Sequence, residues 1–176
     1  MIPGDLSKAQ HIDRMIRVDH AGEYGAQRIY AGQLAVLKHD ATAPEIAHMA
    51  AQEQVHLARF NHLMTERRAR PSALIPFWHV AGYALGAGTA LLGPKAAMAC
   101  TVAVESVIAE HYQQQLENMP EDEPELRDTI TQFRAEEMEH HDIGIAHDAE
   151  SAPAYELLSG IIKRGCRAAI WIAERV

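Results

Sequence analysis

Cysteine is scarce. Cys100 and Cys166 are the two in 176 residues, far apart in apolar surroundings, with no C-x-x-C or other ligand spacing. That excludes a disulfide framework, and the pair reads as small core residues of a protein from a reducing compartment. Base is also in short supply: 16 Lys and Arg face 24 Asp and Glu, a formal charge of −8, so no nucleic-acid surface is expected. Strand-like alternation of Val, Ile and Thr is missing. The first 20 residues, MIPGDLSKAQHIDRMIRVDH, lack the apolar stretch that a secretory signal requires. A single domain over residues 1–176 is long enough to bury about two thirds of its unfolded surface in one core.

Ala, Leu, Met, Gln, Glu and His dominate, and Pro and Gly fall where helices would break. The fold class is therefore all-α. A first helix is expected from the N-cap Ser7 to about His39. Thr42-x-x-Glu45 reads as a capping box with Pro44 in the first turn, opening a second helix near Ala43 that ends before Pro71. Further helices are expected over about 95–119, stopped by Pro120, over 121–148, and from Pro153 to the end (153–176).

Steps of three and four residues trace one apolar stripe on each long helix, and each stripe is interrupted in the same way. The first runs Ile12, Ile16, Asp19, Glu23, Ala26, Tyr30, Leu34, Leu37; the second Ile46, Met49, Glu53, His56, Phe60, Leu63. The third runs Met98, Val102, Glu105, Ala109, Tyr112, Leu116, and the fourth Leu126, Ile130, Phe133, Glu137, His140, Gly144. Glu105 is the only charged side chain between Lys95 and Glu110. A carboxylate in such a run must be paired or given to a metal, and no basic residue shares its face within a turn.

The interruptions spell one unit twice: Glu23 then Glu53-x-x-His56, and Glu105 then Glu137-x-x-His140, with gaps of 30 and 32 residues. Two halves, about 7–70 and 95–148, read as a diverged helical hairpin repeat. Residues three apart share a helix face, so each E-x-x-H can serve one metal or bridge to a neighbour. Four carboxylates and two imidazoles are the ligand set of ferritin-like di-iron and di-manganese bundles, and this oxygen-rich set suits Fe or Mn better than Zn. The expected architecture is a ferritin-like four-helix bundle with two metal ions, Fe or Mn, held by Glu23, Glu53, His56, Glu105, Glu137 and His140. A third pair, Glu45-x-x-His48, lies in a first helical turn where a solvated glutamate complements the dipole, and is set aside. The second half is in register about the Pro120 turn, whereas the loop around Asp40 must absorb roughly one helical turn.

RVDHAGEYGA (17–26), AQEQVHLARF (51–60), GYALGAGTALLG (82–93), ACTVAVES (99–106) and EEMEHHDIG (136–144) together resemble the demethoxyubiquinone hydroxylase family of ubiquinone biosynthesis, and the likeness extends through HDAESAPAY (147–155). The resemblance implies a di-iron monooxygenase that uses O2 to hydroxylate the ring of a polyprenylated methoxy-methyl-benzoquinol. It places the same six residues as ligands of two Fe ions per chain and all six as catalytic, His111 and Tyr112 near the substrate, and NADH or the quinol as the two-electron donor. Asp19, Glu136 and Asp142 are the carboxylates nearest to orient the imidazoles. No Rossmann fingerprint is present, because the glycines of GYALGAGTALLG do not follow a strand.

Residues 71–94 form an arm with no Asp, Glu, Lys or Arg. Were it to cross a bilayer, the two halves of the ligand set would be separated. It is expected to lie at the interface as a hairpin arm, with Phe77, Trp78 and Tyr83 as anchors, Arg67, Arg68 and Arg70 beside it, and the last helix assisting through Ile161, Ile162, Ile170, Trp171 and Ile172 with Lys163, Arg164 and Arg167. These apolar interfacial helices imply peripheral attachment, to the cytoplasmic face of the inner membrane in a bacterium or to the mitochondrial inner membrane in a eukaryote. The expected partners are the benzoquinol, the membrane surface, and a second copy or another quinone-biosynthesis protein. The competing readings are a rubrerythrin-type peroxidase, against which the missing Cys-rich iron site counts, a ferritin-like iron-storage shell, and a non-catalytic quinone carrier.

Overall fold

The computed structural model describes residues 6–175, in which the helices are α1 (Lys8–Leu37), α2 (Ala43–Arg67), α3 (Ile75–Leu91), α4 (Pro94–Asn118), α5 (Pro124–Ala146) and α6 (Tyr155–Ala173), with a 3-10 turn at Ala149–Ser151. No strand occurs among the described residues. Residues 1–5 and 176, which the single-domain reading includes, lie outside them.

The helix ends follow local chemistry. Ser7 caps α1 through a reciprocal pair of bonds with Gln10. Thr42 does not form the expected capping box: its amide and hydroxyl both donate to Asp40 Oδ1, at 2.9 and 2.8 Å, and Pro44 alone presets the first turn of α2. Helix α5 begins three residues later than expected. The intervening acids are engaged elsewhere, Asp122 by Lys8 and Glu123 by Arg67 at 2.5 Å, and Pro124 keeps Glu123 out of the helical region. Helix α6 begins at Tyr155 rather than Pro153, because Ala154 is left-handed at φ 52°.

Side-chain bonds give the register of the bundle. From one end of α1 to the other, Asp19 meets Gln115, Glu23 meets Tyr112, Tyr30 meets Glu105 and Gln33 meets the Ala97 carbonyl, so α1 and α4 are antiparallel. Gln52 meets His140, His56 meets Glu136, Arg59 meets Glu125 and Arg67 meets Glu123, which makes α2 and α5 antiparallel as well. With α1–α2 and α4–α5 joined by short turns, α2 and α4 run the same way, and α3 supplies the single long return of the helical bundle.

The arm is thus one helix rather than a hairpin, and its glycines explain its position. A β-carbon at Gly82 would lie 2.8 Å from the Gly25 carbonyl oxygen; one at Gly86 would fall inside the Ile29 carbonyl, and one at Gly32 inside the Tyr83 carbonyl. Helices α1 and α3 therefore run parallel with their backbones in close contact. No helix of the described residues is long and apolar enough to cross a membrane.

Two apolar layers close the bundle. Ile12, Ile16, Phe60, Leu63, Leu126 and Ile130 pack at one end. Leu37, Ile46, Met49, Met98 and Val102 pack at the other. Each fully buried side chain contributes about 1.5–3 kcal/mol, and these layers offset the cost of the charged layer between them.

Candidate metal centre

All six stripe residues converge. Glu23, Glu53, His56, Glu105, Glu137 and His140 are buried to within 1 % of full enclosure. Among the orphaned buried atoms are Glu23 Oε2, both carboxylate oxygens of Glu53 and of Glu137, Glu105 Oε2, and Nδ1 of both histidines. Buried polar groups are ordinarily satisfied, so eight such atoms gathered in the interior form clusters that could hold metal ions.

The atoms sort into two overlapping sets. Glu23, Glu53, His56 and Glu137 can offer one atom each within 4.8 Å of one another, and so can Glu53, Glu105, Glu137 and His140. Glu53 and Glu137 belong to both. Glu137 turns Oε1 to His56 Nδ1 at 3.2 Å and Oε2 to His140 Nδ1 at 3.3 Å; Glu53 turns Oε1 to His140 Nδ1 at 3.3 Å and Oε2 toward His56 Nδ1 at 3.9 Å. The geometry is that of two shared carboxylates and two terminal ones.

Each terminal carboxylate is held by the opposite half. Tyr30, seven residues after Glu23, donates to Glu105 Oε1 at 2.7 Å, while Tyr112, seven residues after Glu105, donates to Glu23 Oε1. One oxygen of each is tied and the other left free. Burial, then the nearby carboxylates, holds both phenols well above the ordinary tyrosine range, so they remain donors. Burial, followed by the charge of Glu137, also raises Glu53 and Glu105 well above the usual carboxylate range. Burial opposes a charge on His56, but contacts with Glu137 and Glu23 outweigh it and lift the imidazole to about 11. Burial opposes a charge on Glu137, but the neighbouring imidazoles of His140 and His56 outweigh it, and the carboxyl falls to about 2.

A family model described as "Ubiquinone biosynthesis protein COQ7" matches residues 10–173. The chain belongs to the COQ7 family. It is 58 % identical over 176 residues to a "3-demethoxyubiquinol 3-hydroxylase" of Rhodospirillum rubrum, covering 99 % of this chain and 83 % of the relative. It is 58 % identical over 176 residues to the human "NADPH-dependent 3-demethoxyubiquinone 3-hydroxylase, mitochondrial", covering 98 % and 81 %. A "5-demethoxyubiquinone hydroxylase, mitochondrial" of Saccharomyces cerevisiae is 47 % identical over 191 residues, covering 98 % and 82 %.

Of the carboxylates expected to orient the imidazoles in this COQ7 chain, Glu136 does so, accepting from His56 Nε2 at 2.5 Å. Asp142 instead sits on the surface at 3.0 Å from His141. Asp19 accepts from Gln115 at 2.6 Å and lies 3.4 Å from His111, away from both ligand imidazoles. The acceptor for His140 is Gln52, at 2.9 Å. Sequence reasoning missed Gln52 and Tyr30, although the repeat carries both: a tyrosine follows each lone glutamate by seven residues, and Gln52 and Glu136 each immediately precede a paired glutamate. Tyr112 packs inward on Glu23, and His111 borders a polar cavity of about 370 Å³ with His11, Arg14 and Asn118.

A second cavity, of about 310 Å³ and almost wholly apolar, lies between α1, α3, α4 and α6. Gly22, Ala26 and Val104 line it, so it reaches the chain beside Glu23 and Glu105; Trp78, Ile161 and Ile170 line it from α3 and α6. Neither His111 nor Tyr112 lines it. On the same two helices, α3 and α6, Phe77, Val80, Leu157, Ile161 and Trp171 are exposed. Of the basic residues nearby, Arg67 is bound to Glu123 and Arg167 to Glu110.

Proposed function

We propose that this chain is an oxygen-dependent hydroxylase of ubiquinone biosynthesis that acts on the ring of a demethoxyubiquinol at a di-iron site formed by Glu23, Glu53, His56, Glu105, Glu137 and His140. The observation that carries this reading is the convergence of eight orphaned ligand atoms from six residues, in a chain of the COQ7 family. The donor set fits iron: hard oxygens predominate, with one imidazole for each metal. When bound, the iron pair supplies two-electron activation of O2. Glu53 and Glu137 would serve both metals, Tyr30 and Tyr112 each tie one oxygen of a terminal glutamate and leave the other for metal, and Glu136 and Gln52 set the imidazoles. The two apolar layers exclude water from the reaction. The apolar cavity beside Glu23 and Glu105 takes the quinol and the start of its polyprenyl tail.

Two electrons must be returned after each turnover. NADH and the quinol are the donors that the family resemblance implies, and the names of the mammalian relatives favour NADPH. Incubating the iron-loaded protein with a short-tailed demethoxyubiquinol, reductant and 18O2 tests the activity. The reading requires one 18O atom in the ring hydroxyl, and an unlabelled or unchanged ring would remove it.

The exposed apolar side chains of α3 and α6 are the proposed membrane-facing surface, with Lys163 and Arg164 of α6 available to anionic headgroups. Trp171 and Ile161 are 57 % and 58 % exposed. Replacing Trp171 by alanine and Ile161 by aspartate is expected to weaken partition onto anionic vesicles by about tenfold or more, since each side chain withdraws about 1–2 kcal/mol of apolar burial. Vesicle co-sedimentation measures it, and unchanged partition would place the contact elsewhere.

Metal removal carries a pH signature. The raised Glu53 and Glu105 stabilise the metal-free fold below their ordinary range near 4.5 and lose that contribution as pH rises above it. His56, raised to about 11, stabilises it fully below 6.5 and progressively less above. Metal-free protein should therefore melt at falling temperature as pH goes from about 6 to 9, while the loaded protein, whose cations replace those protons, stays flatter. Calorimetry at the two pH values decides it, and parallel curves would contradict the reading.

A further inference from the structure

The two halves supply the same residue types to the site, although His56 Nδ1 lies 3.4 Å from Glu23 Oε2, a contact that His140 does not make with Glu105. Each metal position draws one imidazole Nδ1, one terminal glutamate braced by a tyrosine from the opposite half, and a share of Glu53 and Glu137. Behind the imidazoles the symmetry fails: His56 Nε2 donates to a carboxylate, Glu136, at 2.5 Å, whereas His140 Nε2 donates to an amide, Gln52 Oε1, at 2.9 Å. Both acceptors fix the tautomer that leaves Nδ1 free, because each requires the proton on Nε2.

Their electronic effects differ. A carboxylate makes a charge-assisted bond, draws the Nε2 proton toward itself and raises the basicity of Nδ1; an amide oxygen does this far less. Glu136 also places a negative charge behind one metal position that the other lacks. Its second oxygen accepts from Gln132 at 2.9 Å, so the carboxylate is held where it is.

We infer that the two metal positions are inequivalent by construction: the one served by Glu23 and His56 is the stronger and fills first, and the identity of the residues at 136 and 52 sets that order. This rests on the reading of the six residues as metal ligands. Glu136 and Gln52 are positioning residues, acting through the histidines, and both are partly exposed, so exchanging them should leave the bundle folded.

Cobalt(II) is the probe. Its paramagnetism shifts the Nε2 proton of a bound imidazole far outside the protein spectrum, and both imidazoles are fully buried, which protects those protons from exchange. The His56 proton is identified by its Overhauser effect to Phe133, against whose ring His56 stacks at 3.9 Å. At one equivalent of cobalt the His56 resonance should exceed that of His140 by about tenfold or more, from the 10–100-fold effect of such partners on metal affinity. In the double exchange Gln52→Glu with Glu136→Gln, which keeps the net charge and every other side chain, the His140 resonance should lead. In Gln52→Glu alone the two should grow together. Equal resonances in the unmodified protein, or the same leader before and after the exchange, would overturn the inference and leave the metal site standing. Failure of the unmodified protein to bind cobalt would overturn both.

Discussion

Glu53→Gln abolishes hydroxylation and, in the metal-free protein, raises the melting temperature. Glu53 is one of the two carboxylates common to both ligand sets, so a neutral amide there weakens both metal positions at once. The charge stabilisation that a metal ion gives a reaction is worth several kcal/mol, and at 1.36 kcal/mol per tenfold the loss is at least about 10³-fold in turnover. Stability moves the other way. In the absence of cations, burial and three neighbouring glutamates disfavour the Glu53 carboxylate, and removing it relieves that strain by about 1–2 kcal/mol, or roughly 2–8 °C for a chain of this size. Metal analysis, turnover and calorimetry in chelator measure the three effects. A variant that lost activity by unfolding would show the opposite change in melting temperature.

The second large effect is at the α1–α3 contact. Gly86→Ala places a methyl group against the Ile29 carbonyl, a backbone atom that cannot rotate away. The helices must separate or α3 must shift, at a cost near the upper end of overpacking, about 3 kcal/mol, which lowers the melting temperature by roughly 6–12 °C. The apolar cavity between these helices loses its shape, and the Michaelis constant for a long-tailed quinol should rise more than that for a short-tailed one. Gly88→Ala is the control within the same helix. Nothing lies within 4 Å of its β-carbon, so the exchange should stabilise by up to about 1 kcal/mol through helix propensity alone. Equal effects from the two substitutions would contradict the close approach.

Much of this was legible in the sequence because burial and charge conflict there. The long stripes end buried over nearly their whole length, and Glu105 needed a partner that its own helix did not supply. The proposed ligand set follows from helix phase, which is a local property. The braces were not legible in the same way. Tyr30 reads as a core aromatic and Gln52 as a surface polar residue until the antiparallel register of α1 with α4 and of α2 with α5 brings each across to the other half. The α3 segment misled for a different reason: glycines that suggest a bend or hairpin in isolation are the sites where α1 lies against a continuous helix. Asp142, two residues from His140 in the chain, projects outward because residues 140 and 142 lie on different faces of α5.

The most direct test is the number and coupling of the metals. Protein stripped with chelator and loaded anaerobically with iron(II) should bind two irons per chain. After exposure to O2, Mössbauer spectra should show spin-coupled iron(III) with a diamagnetic ground state, as two ions sharing Glu53 and Glu137 require. One iron per chain, or an isolated high-spin iron(III) signal accounting for the bound metal, would contradict the shared-carboxylate centre on which the account depends.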